Sequence, residues 1–76
     1  MNSISVALSS IGDVKDFVNI VNKYECEIDL TSGRYIVDAK SIMGIFSLDL
    51  SRPIKVQIFS DNANNLVSEL QRFSVN

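Results

Sequence analysis

Four side chains stand where their type and setting could carry chemistry, and they are Ser10, Ser41, Cys26 and Lys40. Ser41 stands with Lys40 where an alternating pattern gives way to the crowded apolar run Ile42, Met43, Ile45 and Phe46. A hydroxyl there can cap a helix. Ser10 occupies a similar place before an earlier helical pattern. Cys26 has no run of cations beside it to lower its pKa and reads as a small apolar residue on a strand. No histidine is present. Ser-His-Asp and Cys-His catalysis, histidine metal sites and phosphohistidine chemistry are thereby excluded. No catalytic residue, metal ligand or cofactor site is expected.

Composition sets further bounds. A chain of 76 residues makes one domain, 1–76, and at this size folding buries only about 60% of the surface exposed by the unfolded chain. A deep catalytic cleft has little room. No apolar run approaches the ~20 residues that span a bilayer, so no membrane association is expected. The start, Met-Asn-Ser-Ile-Ser-Val, lacks the basic and apolar blocks of a signal peptide, and a lone Cys26 cannot form an internal disulfide. A cytoplasmic location is the expectation. The net charge is −2, and the seven basic residues are scattered. That gives no electrostatic footprint for nucleic acid.

The elements that must position these side chains follow from periodicity. Ile4, Val6 and Leu8 alternate with small polar residues, predicting a strand over residues 3–9. Ser10 followed by Asp13 approximates a capping box. Val14, Phe17, Val18, Val21 and Tyr24 then form one stripe of a helix over about 12–24, with Asp13 and Asp16 early and Lys23 late, as the macrodipole favours. Cys26, Ile28 and Leu30 alternate with acidic residues as a second strand. Thr31-Ser32-Gly33 is a turn. Residues 34–39 return as a third strand, with Tyr35, Val37 and Ala39 on one face.

The apolar run after Ser41 fits a short helix held by its neighbours, with Ile45 rather than Met43 or Phe46 expected to face the sheet. Pro53 precedes Ile54, Val56 and Ile58, the fourth strand. Asp61 or Asn62 is the expected cap of a last helix bearing Leu66, Val67, Leu70 and Phe73. The order is β-α-β-β-α-β-α. An α+β fold follows, a four-stranded antiparallel sheet covered on one face by three helices.

That order, together with the segment Val37 to Leu48 and its Lys40-Ser41-Ile42-Met43-Gly44 core, resembles the HPr phosphocarrier family of the bacterial sugar phosphotransferase system. The resemblance extends back through Lys23-Tyr24 and forward through the last helix. It implies an open-faced β-sandwich, in agreement with the pattern above. In that family the phosphoryl group rides on a histidine at the start of the first helix, in a segment reading approximately Gly-Leu-His-Ala-Arg-Pro. Counting back from Tyr24 without a gap puts Ser10 at the histidine, Gly12 at the arginine and Asp13 at the proline. The nucleophile and its cationic partner are both missing, and Asp13 and Asp16 would repel a phosphoryl group. A serine phosphate ester at Ser10 would lack the transfer potential of a relay, so Ser10 reads as a helix cap.

Ser41, by the same resemblance, matches the family's regulatory serine, which HPr kinase/phosphorylase modifies so that the phosphoprotein binds a catabolite-control transcriptional regulator. Crh-like members keep this serine without the histidine, as here. Capping and modification are compatible at Ser41, since phosphate is favoured at a helix N-terminus. Asp49 replaces the glycine usual after the short helix and puts a carboxylate where added phosphate would be opposed or partly mimicked. Ile42, Met43 and Phe46 match the patch that docks partners, with plain packing the alternative, and Lys40 falls beside the modified serine or is simply solvated. The expected function is a non-enzymatic, Crh-like regulatory module. The alternative is a constitutive interaction module or divergent paralogue in which Ser41 is only a cap, and a genuine phosphocarrier is the least favoured reading.

Overall fold

Four strands and three helices alternate in the expected order in the computed structural model, which describes residues 2–75. The strands are β1 (Asn2–Val6), β2 (Glu27–Ser32), β3 (Tyr35–Asp38) and β4 (Ile54–Phe59). The helices are α1 (Ile11–Val21), α2 (Ile42–Phe46) and α3 (Asn64–Leu70), the last continued by a 3-10 turn, Gln71–Phe73. In the sheet the order is β1-β4-β2-β3, every neighbour antiparallel. β4 therefore lies between β1 and β2, and its inward residues Ile54, Val56 and Ile58 are fully buried. Its register puts Val56 opposite Ile4 on one side and Leu30 on the other, so alternation in three strands converges on one face. Phe17 and Phe73 bring α1 and the end of α3 together, their rings edge to face at 6.0 Å.

Several boundaries differ from those the pattern predicts. β1 ends at Val6 rather than residue 9, because the Ala7 N–H leaves the sheet for the Phe73 carbonyl at 2.8 Å, while Leu8 stays buried. Helix α1 ends at Val21, short of Tyr24. The amides of Lys23 and Tyr24 turn to the carbonyls of Ile20 and Val21, three residues back rather than four, so the helix closes in a tightened turn. Lys23 thus lies beyond the last helical turn. Tyr35 does not share the burial of Val37 and Ala39; at the hairpin end it is 67% exposed.

The last helix is not capped by Asp61 or Asn62. Its N-cap is Ala63, with no side-chain bond, and the Asn62 N–H is instead taken by Ser60 Oγ at 3.1 Å. Alanine at the N-cap position has no side-chain acceptor to offer, so the first turn of α3 lacks the bond that Asp or Asn would make from that position.

Candidate functional site

Ser41 holds an extended backbone (φ −100°, ψ 105°), as an N-cap must, and its Oγ accepts the Gly44 N–H at 3.3 Å. Its own N–H goes to the Asp38 carbonyl at 3.1 Å, so the third strand leads straight into the cap. Asp38 also accepts the Lys40 N–H on Oδ1 at 2.9 Å, which tightens the same corner. At the far end Ser47 donates its hydroxyl to the Gly44 carbonyl at 2.6 Å. Five helical residues cannot hold themselves. These bonds at both ends, and Ile45 in the core, hold α2.

The side chains of α2 divide sharply. Ile45 is fully buried, Ile42 is half-buried, Phe46 is 41% exposed and Met43 is 77% exposed. The expectation that Ile45 faces the sheet is met. Met43 and Phe46 leave apolar surface in solvent on the helix that begins with exposed Ser41, and an adaptable thioether beside an aromatic edge suits a contact surface. Gly44 faces β3, where a Cβ would sit 3.4 Å from both Ser41 Oγ and Val37 Cβ, at the edge of ordinary van der Waals contact.

Lys40 is not simply solvated. Its ammonium donates to the Tyr24 carbonyl, just past α1, and the side chain is half-buried. It lies over a shallow groove that Glu25, Glu27, Asp29 and Asp38 line with Cys26. Cys26 sits just before β2 and is half-buried, packed against the core. No group of three or more His, Cys, Asp or Glu residues is placed to hold a metal among the described residues.

Ser10, the other candidate, caps α1 with Oγ accepting the Asp13 N–H at 3.0 Å. Asp13 completes a reciprocal arrangement one residue earlier than a standard capping box, its Oδ2 accepting both the N–H and the hydroxyl of Ser9 at 3.1 Å. Asp16 is drawn instead to Arg72, 3.2 Å away. Asp49 is exposed, and its carboxylate accepts from Ser51 at 2.6 Å (Oγ) and 3.0 Å (N–H), with Arg52 at 3.6 Å. Those Ser51 hydrogen bonds hold its pKa below the usual carboxylate value.

Residues 14–75 match the family model described as the PTS HPr component phosphorylation site. The matched span begins at Val14 and so contains Ser41 but not Ser10. A solved structure of HPr-C-His from Thermoanaerobacter tengcongensis is similar over 92% of this chain and 86% of that one, at 25% identity and a TM-score of 0.78. A phosphocarrier protein HPr from Bacillus anthracis, at 23% identity, shares the fold over 97% of this chain and 94% of its own, with a TM-score of 0.73. No curated protein sequence matches. No helix among the described residues is long and apolar enough to cross a membrane. Proteins of this kind are phosphocarriers that act with other proteins of the phosphotransferase system and are not enzymes. The family model covers most of the chain and the four-stranded open sheet agrees with it, so the chain belongs to the HPr family of the phosphotransferase system.

Proposed function

We propose that this HPr family member, a single domain, works by being recognised rather than by passing phosphate onward, as a Crh-like regulatory module whose contact surface is the Ser41 segment. The observation that carries the reading is the exposure of Met43 and Phe46 on the helix that Ser41 caps. The absence of any histidine supports it, since the family's relay needs one. Phosphorylation of Ser41 is the switch. The γ-phosphoryl of ATP passes to Ser41 Oγ, the hydroxyl proton is released, and ADP leaves. The dianionic group then stands beside Met43 and Phe46 and changes what that surface can bind. HPr kinase/phosphorylase is the modifying partner, and a catabolite-control transcriptional regulator is the reader. Lys40, Ile42, Met43 and Phe46 make the contact.

A second reading takes Ser41 as a cap alone on a constitutive interaction module, and the Ser41 to Gly44 bond favours it. Incubation with ATP and HPr kinase/phosphorylase, followed by intact mass, separates the two. The switch requires a gain of one phosphoryl group that disappears in Ser41→Ala, whereas an unchanged mass beside a modified HPr control leaves only the constitutive module.

A further inference from the structure

We infer that the groove between the β2–β3 turn and the loop leading from α2 to β4 binds a small phosphate monoester, its phosphate held by Arg34 and Arg52 and its organic part laid on the Tyr35 ring. The groove has a volume of about 600 Å³ and is lined by Ser32, Arg34 and Tyr35 from the hairpin and by Ser47, Asp49 and Arg52 from the loop. Small-molecule sites run from ~300 to 1,000 Å³. The turn fixes the first wall. Ser32 pairs with Tyr35 across the hairpin and Gly33, at φ 60°, closes the two-residue turn, so Arg34 is carried at a defined point beside the strand pair.

Charge selects the ligand. The chain as a whole carries −2, yet the groove sets two guanidinium groups against one carboxylate. That carboxylate is already matched. Asp49 Oδ1 accepts the N–H and the hydroxyl of Ser51, at 3.0 and 2.6 Å, and Oδ2 faces Arg52 Nε at 3.6 Å. Because Asp49 meets Arg52 at Nε, the two terminal nitrogens of that guanidinium are left to donate. Lys23 and Arg72 spend their charges on Glu69 and Asp16, whereas Arg34 has no carboxylate partner among the described residues.

Two planar forks lining one concavity suit an oxyanion with several acceptor oxygens. A phosphate monoester is close to a dianion at neutral pH and offers three, enough for both arginines, where a carboxylate offers two oxygens and a single charge. Tyr35 is 67% exposed, and its ring presents a flat apolar surface to the ligand's carbon skeleton while its hydroxyl stays in water. The site lies open to solvent, so binding is weak and falls with added salt. It uses none of the residues proposed for the Ser41 surface and stands or falls without them.

Titration with phenyl phosphate at constant ionic strength, followed by amide chemical shifts, tests the proposal, with inorganic phosphate as the second probe. The expected result is saturating shifts centred on residues 32–35 and 47–52, with inorganic phosphate competing for the same residues more weakly. Arg34→Gln and Arg52→Gln should each weaken phenyl phosphate by about tenfold, the loss expected for a hydrogen bond to a charged group. Lys15→Gln removes the same charge from an exposed position on α1 and should change nothing. Tyr35→Ala should weaken phenyl phosphate and leave inorganic phosphate as it was. All four positions are exposed, so the variants keep the fold, which the dispersion of the same spectra checks. The absence of saturable shifts overturns the proposal, as do shifts centred away from the groove. So does binding that survives Arg34→Gln or that Lys15→Gln lowers equally, and so does inorganic phosphate binding as tightly as phenyl phosphate.

Discussion

The phenol of Tyr24 donates to the carboxylate of Glu69, 45 residues away in sequence, and Lys23 reaches the same carboxylate, so the end of α1 is tied to α3 by one acidic side chain. Lys23 first and Tyr24 second hold the Glu69 pKa below its usual value, and the bond to Glu69 raises that of Tyr24. A carboxylate with a lowered folded pKa contributes stability above its unfolded pKa, and that contribution is lost as pH falls through the folded value. The raised Tyr24 works in the opposite direction. Its contribution is present below the ordinary phenol range and is lost as pH rises through the folded value. Urea midpoints measured from acid to alkaline pH should therefore show smaller losses at both ends for Glu69→Gln than for the unaltered chain. Some acid slope persists in that variant because Asp49 is also lowered.

Neighbours on α2 should separate stability from recognition. Ile45 is fully buried, so Ile45→Ala should cost about 2–5 kcal/mol of unfolding free energy. Met43 is 77% exposed, and Met43→Ala should stay within about 0.5 kcal/mol. If α2 is the contact surface, Met43→Ala weakens partner binding while its urea midpoint hardly moves. Urea denaturation and a binding titration on the same two variants check both halves.

Ser10 should behave as a cap and nothing else. Removing the hydroxyl that accepts the Asp13 N–H, as in Ser10→Ala, should cost about 1 kcal/mol. Phosphoryl transfer to Ser41, measured as intact mass, should be unaffected. Parallel loss of modification in a folded Ser10→Ala would give Ser10 a role that the capping bond does not explain.

Element order and core were legible because both depend on period. Val14, Phe17 and Val21 on α1, and Ile54, Val56 and Ile58 on β4, are buried as their spacing requires. Ile45 was also readable as the inward residue of α2. The errors lie where long-range contacts decide. Tyr24 continues the helical stripe, yet the backbone tightens before it and its hydroxyl goes to Glu69. Lys40 looks like a surface cation and is held by the Tyr24 carbonyl, a bond that no local pattern records. Ala63 caps α3 by position alone, so a search for an acceptor side chain points one or two residues too early. Tyr35 alternates correctly but lies at an edge that the helices do not cover, which only the strand order makes plain.

Whether the chain is recognised rather than serving as a relay is decided by incubating it with phosphoenolpyruvate and enzyme I and measuring its intact mass beside an authentic HPr. HPr should gain one phosphoryl group while this chain, which has no histidine, gains none. A phosphoryl group appearing on this chain and passing to a downstream component would contradict it.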